Sequence, residues 1–144
     1  MANHYIGIVG KARADNFIKA GALELGRGGA GDLAGLMPGD GIAIYAPRVS
    51  RIAAEPLQAF TAIGRITGHL PHREEIAPGV FRHRLLTDWK EVQGDASIRP
   101  LVAQLDLTTR YGPRWGQVLR RDIVPINEDD FFRIASALGA VPPI

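Results

Sequence analysis

The sequence predicts an α+β domain built on a strongly bent mixed sheet that closes into a small β-barrel, with peripheral short helices. Three observations carry this expectation. Leu57 to Thr67 has strand length and is mostly apolar on both faces, so it belongs at the centre of a sheet covered on both sides. Further strand-length apolar runs are separated by turn signals and by short stretches of helical periodicity. No internal repeat or interdomain linker divides the 144 residues, so residues 1–144 read as a single domain.

The elements follow in chain order. His4 to Val9 is short, apolar and β-prone, a first strand. Ala12 to Ala20 reads as a short helix with Phe17 and Ile18 towards the core. Gly26-Arg27-Gly28-Gly29-Ala30-Gly31 is too rich in glycine for regular structure, and Pro38-Gly39-Asp40 is a turn. That turn launches a strand from Gly41 to Ala46, ending at Pro47. Beyond the central strand, the segment holding His69, His72, Glu74 and Glu75 reads as a solvated loop. Pro78-Gly79 opens a strand from Val80 to Asp88, where a period of two puts Arg82 and Arg84 on one face and Phe81, His83 and Leu85 on the other. Ser97 is expected to cap a short helix through Leu105, with Pro100 in its first turn, where a missing N–H does no harm. Arg120 to Ile126 is the last strand. Asn127 then caps a closing helix. Glu128, Asp129 and Asp130 complement the positive end of its dipole, and Phe131, Ile134, Ala135 and Leu138 recur at helical spacing to pack on the sheet.

Composition excludes several classes of function. The chain has no cysteine, which removes disulfides and thiolate chemistry. Its N-terminus lacks the pattern of a signal peptide, and no apolar run approaches the roughly 18 residues of a membrane span. The expectation is a cytoplasmic protein of a reducing compartment, with no membrane partner. Net charge is only +2, yet 14 of the 17 basic residues are Arg, against Lys11, Lys19 and Lys90. Arg110, Arg114, Arg120 and Arg121 fall in an acid-free stretch, and Arg82 and Arg84 form a smaller group. Arginine presents a planar donor fork suited to phosphates and base edges. Such clusters either neutralise a nucleic-acid backbone or simply solvate the surface.

Trp115 stands out among the aromatic residues. It sits between Arg110, Arg114 and Arg120 in a loop-like segment with Gly112, Pro113 and Gly116. A Trp among arginines can stack a base while the guanidiniums hold phosphates; the alternative is that it plugs one end of the barrel. Tyr5 and Tyr45 lie on strands expected to be neighbours, where each either lines a pocket or satisfies its hydroxyl at the rim. Gly10 and Lys11 follow the first strand and offer backbone N–H groups, and Phe81 is a second candidate stacking wall. Core or rim packing is the competing reading for each.

Three motifs are set aside. Gly26-x-Gly28-x-x-Gly31 has the dinucleotide pattern, but Pro38-Gly39 follows too soon for a βαβ unit. His69-x-x-His72 with Glu74 and Glu75 offers ligand-type residues, but Pro71 interrupts them, so no metal is expected. The acids from Glu128 to Asp130 are explained by a helix N-terminus. With no convincing nucleophile the chain reads as a non-enzyme without a cofactor; Glu55 and Asp88 are the acids to check for a hydrolase or transferase of modified nucleosides.

The run Glu55-Pro56-Leu57-Gln58-Ala59-Phe60-Thr61-Ala62-Ile63-Gly64 is similar to the most characteristic run of the EVE domain family. Further matches follow in order. They begin with His4-Tyr5-Ile6-Gly7-Ile8-Val9, Met37-Pro38-Gly39-Asp40, Tyr45-Ala46-Pro47-Arg48 and Ala77-Pro78-Gly79-Val80-Phe81. Ile98-Arg99-Pro100-Leu101, Arg114-Trp115-Gly116 and Asp130-Phe131 complete the series. The resemblance implies a PUA-like barrel, related to YTH and ASCH domains, whose members generally recognise RNA or modified bases. It also implies a pocket near Tyr5, Gly10, Lys11, Arg27, Tyr45, Pro47, Phe81 and Trp115. Arg82, Arg84, Arg110, Arg114 and Arg120 are then the candidate backbone contacts. The chain departs from the family where Tyr5 replaces Trp, Gly10 replaces Ser, and Gly26-Arg27-Gly28-Gly29 replaces a Cys-His-Gly-Lys run, with Arg27 at the His position. The expected function is a non-catalytic module that recognises a modified base in DNA or RNA. The alternatives are binding of a free nucleoside or small metabolite and catalysis on modified nucleosides.

Overall fold

The doubly apolar strand lies where its two faces require. In the computed structural model, which describes residues 2–50, 52 and 55–144, it forms β4 (Pro56–Ile66) at the centre of an eight-stranded sheet. The other strands are β1 (His4–Ile8), β2 (Ala22–Leu23), β3 (Gly41–Arg48), β5 (His72–Ala77), β6 (Val80–Trp89), β7 (Ala96–Ser97) and β8 (Ile123–Ile126). Their spatial order is β2-β6-β4-β3-β1-β8, with β5 added to β6 and β7 to β4. β1 and β3 run parallel and the other pairs are antiparallel, which makes the sheet mixed.

Each face buries its own apolar cluster. Phe17, Leu23, Leu25, Ile42, Ile44, Ile66 and Leu85 pack on one side, closed by α1 (Lys11–Lys19). Ile6, Phe60, Ile63, Phe131, Ile134 and Leu138 pack on the other, under α2 (Asp106–Tyr111), α3 (Trp115–Val118) and α4 (Glu128–Leu138). The sheet is curled. Leu25, just past β2 at one end of the strand order, has its Cδ2 only 2.9 Å from where a Cβ on Gly7 of β1 would stand. The architecture is therefore α+β and barrel-like. Its two ends meet at a seam: Asp122, which precedes β8, has its Oδ2 3.1 Å from where Gly26 would carry a Cβ.

Several elements differ from the sequence expectation. β3 runs through Pro47 to Arg48, because Pro47 sits where the pairing passes irregularly from Ala46–Ala59 to Arg48–Pro56 and no ladder N–H is needed. His72 to Ala77 is a strand rather than a loop. It pairs with β6 through His72–Arg84, Arg73–His83 and Glu74–Arg82, yet every residue is exposed, so it carries no apolar period. Ser97 is in β7, paired with Ala59, and its Oγ accepts from the Arg99 N–H at 3.3 Å. The helix expected after it shrinks to a 3-10 turn over Arg99–Leu101. The stretch around Trp115 is helical, since buried Leu107 and Val118 give α2 and α3 a core-facing side, and β8 begins only at Ile123. The closing helix forms as expected, with Asn127 Oδ1 accepting from Asp130 N–H at 2.7 Å.

His4 is buried on β1, with its ring 4.8 Å from that of Phe131 and its Nε2 3.4 Å from Arg65 Nη1. Burial lowers its pKa below 6.5, and the neighbouring Arg65 lowers it further. The unfolded chain therefore takes up this proton before the folded one does. The stability that His4 contributes is complete above pH 6.5 and is lost as pH falls from there through the lower folded value. In urea titrations at a series of pH values, His4→Gln is expected to flatten this part of the decline. An unchanged slope would contradict a neutral buried His4.

Candidate functional site

The seam leaves a hollow beside the first turn of α1. Gly10 caps that helix without a side-chain hydrogen bond, and the hollow, about 350 Å³, is lined by Ile8, Val9, Gly10, Ala12, Arg13, Gly26, Ser50, Ile52 and Asp122. Arg13 is held there by a buried carboxylate. Glu24, 2 % exposed, accepts from Arg13 Nε at 3.2 Å and from Arg84 Nε at 2.8 Å. Arg13 Nη1 donates to the Gly26 carbonyl at 2.6 Å, but its buried Nη2 has no hydrogen-bond partner among the described residues. A buried guanidinium N–H that lacks an acceptor is costly, and a ligand can supply what is missing. Asp122 brings a carboxylate to the same wall.

The loop that carries Gly26 into the wall depends on glycine at two points. Gly26 has φ +57°, and a Cβ there would fall 2.6 Å from Asp32 Oδ1. Gly28, φ +83°, lies under the stem of Arg82, whose Cδ leaves no room for a Cβ. The glycines at positions 26 and 28 thus make a tightly wound loop clamped to β6, with His83 N–H donating to the Gly28 carbonyl at 2.8 Å.

From this hollow the surface continues as a groove. A second hollow of about 340 Å³ shares Ile8, Gly10 and Ser50 with the first and adds Pro47, Arg48, Leu119 and Arg120. A third, about 470 Å³, shares those last four and reaches Tyr45, Gln58, Arg114 and Trp115. Trp115 packs partly against the outer core and also lines the groove. Tyr45 is 4 % exposed, and burial raises the pKa of its phenol, with nearby Arg99 acting the other way.

The structure brings together Gly10, Tyr45, Pro47, Arg114, Trp115 and Arg120, and leaves other candidates elsewhere. Tyr5 is on the strand beside β3, but it pairs with Ile42, whereas Tyr45 pairs with Ile8 at the far end. Phe81 is on the β5–β6 hairpin with the Arg73 guanidinium 3.9 Å from its ring centre. Arg84 is buried, its three nitrogens donating to Glu24, Glu74 and Asn16, and Arg82 lies 3.9 Å from Glu24. Those two arginines serve the fold. Lys11 reaches Asp15, exposed Arg27 follows Gly26 in the loop, and exposed Arg110 is on α2. Of the acids singled out, Asp88 pairs with Lys90 at 3.1 Å and Glu55 is exposed ahead of β4. Among the described residues no His, Cys, Asp and Glu group suits a metal, and no helix is long and apolar enough to cross a membrane. Sequence reasoning missed Arg13, Arg48, Gln58 and Asp122 as groove residues. The signal for Arg13 was Glu24, a lone acid inside the apolar run Ala22-Leu23-Glu24-Leu25 that demands a buried cation.

The barrel-like α+β fold is shared with known proteins. The crystal structure of protein Atu2648 from Agrobacterium tumefaciens matches with a TM-score of 0.55 over 99 % of this chain and 97 % of that one, at 16 % identity. The NMR structure of Rpa0253 from Rhodopseudomonas palustris matches with a TM-score of 0.55 over 96 % and 94 %, at 10 % identity. No protein-family profile matches the chain. Relatives by sequence include the UPF0310 protein of Renibacterium salmoninarum, 32 % identical over 96 % of both chains. The UPF0310 protein of Mesorhizobium japonicum is 33 % identical over 97 % of this chain and 94 % of its own. The chain belongs to the UPF0310 family.

Removing the carboxylate that organises the hollow takes an acid partner from Arg13, Arg82 and Arg84, of which Arg84 keeps Glu74. Glu24→Ala is expected to cost about 3–5 kcal/mol in urea unfolding. A loss below about 1 kcal/mol would mean that Arg13 and Arg84 do not depend on it.

Proposed function

We propose that this protein is a non-catalytic reader that takes a modified base from a single strand of DNA or RNA into the seam hollow. Its EVE-type, PUA-like resemblance supports that reading. The observation that carries it is the state of the arginines along the groove. Arg48, Arg114 and Arg120 line it beside Trp115, and none makes a side-chain hydrogen bond or ion pair among the described residues. Arg13, Arg82, Arg84 and Arg133, by contrast, are all matched with acids. Unmatched guanidiniums along an aromatic-bearing groove suit phosphates that follow one another on a strand.

The seam hollow suits the base itself. Its size falls within the range of small-ligand pockets, and Ile8, Val9 and Ala12 offer apolar contact to a ring. Arg13 Nη2 is a donor and Asp122 an acceptor, so a base edge with an acceptor next to a donor meets both. Trp115 then stacks the neighbouring nucleotide.

The test is a salt-titrated binding assay with short single- and double-stranded oligonucleotides, each with and without 5-methylcytosine or 5-hydroxymethylcytosine. Binding is expected to depend on the modification. With three rim arginines on a single strand, log K should fall against log salt with a slope of about −2. Trp115→Ala should weaken binding about tenfold, the scale of one base–aromatic stack. Binding of free nucleosides without salt dependence would support a small-molecule site instead, and an unchanged Trp115→Ala would remove Trp115 from the site.

A further inference from the structure

Gln58 carries a backbone conformation that its residue type does not favour. At φ +51° it is the non-glycine residue in the left-handed region among the described residues. Strand pairing alone gives no reason for this, since extended backbone suits glutamine. The distortion is a bulge: pairing between β3 and β4 skips from Ala46–Ala59 to Arg48–Pro56, leaving Leu57 and Gln58 unregistered. Bulges of this kind re-aim a side chain, and backbone strain collects where a site needs a group held in an otherwise disfavoured place. The bulge is pinned from below, because the Gln58 carbonyl accepts from Ile98 N–H at 3.0 Å.

The re-aimed side chain lines the third hollow with Tyr45, Arg114 and Trp115. Its only side-chain partner among the described residues is Arg99, at the outer limit of hydrogen-bonding distance, with Nη2 3.5 Å from Oε1. The Gln58 N–H₂ therefore remains available. Tyr45 adds a hydroxyl with no hydrogen bond among the described residues. A planar donor–acceptor amide and a phenol thus share a hollow with an indole.

We propose that Gln58 and Tyr45 form a second base-reading subsite, in which the nucleotide next to the modified base stacks on Trp115 and is read at its edge. The carboxamide favours adenine, whose exocyclic amine and ring nitrogen offer a donor beside an acceptor in the spacing that a glutamine matches with two hydrogen bonds. The protein then reads sequence context as well as modification. This rests on the single-strand reading above. Arg99, close to the carboxamide oxygen, helps to fix which end of the amide faces the base.

The test uses short single-stranded DNA with a central 5-hydroxymethylcytosine and each of the four bases in turn on either side. It compares the natural chain, Gln58→Gly and Gln58→Glu by fluorescence anisotropy and thermal unfolding. On one side, the natural chain should prefer adenine by about tenfold, the scale of a two-hydrogen-bond contact. Gln58→Gly, relieved of the positive φ, should bind all four strands alike with an unfolding temperature no lower than that of the natural chain. Gln58→Glu keeps the side chain but loses the donor, and should also lose the preference for adenine. Equal binding of the four strands at both flanks by the natural chain overturns the subsite while leaving the base reader intact. A ranking that survives in Gln58→Gly overturns it as well, as does a drop in that variant's unfolding temperature together with an unchanged preference. Failure of the natural chain to bind any of the strands overturns both readings.

Discussion

Glu24 is a charge that cannot reach water, and much of the molecule is arranged around it. A buried carboxylate survives only if cations and hydrogen bonds replace its hydration. Arg13 comes from α1 and Arg84 from β6, so the pairing ties the helix to the sheet. Arg84 passes the constraint on to Asn16 and Glu74, and Arg13 passes it to the Gly26 carbonyl. These contacts use every nitrogen of Arg84 and leave Arg13 with one buried nitrogen unpaired among the described residues, at the wall of the seam hollow. The interaction that stabilises this corner of the barrel also aims a donor at a cavity.

Curling the sheet creates the cavity in the first place. β2 and β8 end the strand order, and the chain segments beside them converge without pairing. A closed barrel would have filled that seam with ladder hydrogen bonds. Here it is bordered by Gly10, Gly26 and Asp122, with small residues where side chains would have blocked it. The groove that leads away follows β3 past Pro47 to the short helices, so a strand pairing, a bulge and a helix each contribute one wall.

The fold was legible where residues obey a simple period. The doubly apolar β4, the Asn127-capped α4 and the alternation of Arg82 and Arg84 all follow from side-chain spacing. β5 was not, because all its residues are exposed and the strand is held by pairing with β6 rather than by a buried face. The site was legible in part. Tyr45, Pro47, Arg114, Trp115 and Gly10 do meet, since the aromatic and arginine pattern marks a surface. Phe81 looked equivalent in sequence, yet the β5–β6 hairpin carries it away from the groove. Arg82 and Arg84 looked like surface cations because their partner, Glu24, lies some sixty residues earlier, and nothing beside the arginines in sequence points to it. Asp122 and Arg13 are joined only through the barrel seam, which no local pattern encodes.

The most direct test is a nuclear magnetic resonance titration of the isotopically labelled protein with a short single strand carrying 5-hydroxymethylcytosine. The two tryptophans report independently, since Trp115 lines the groove while Trp89 donates its indole N–H to the Ala22 carbonyl at 2.8 Å. A strand bound along the groove should shift the Trp115 indole and the amides of Gly10 and Gly26, and leave the Trp89 indole in place. Shifts confined to the β5–β6 hairpin or to the far end of α4, with Trp115 and Gly26 unmoved, would contradict a ligand groove at the seam.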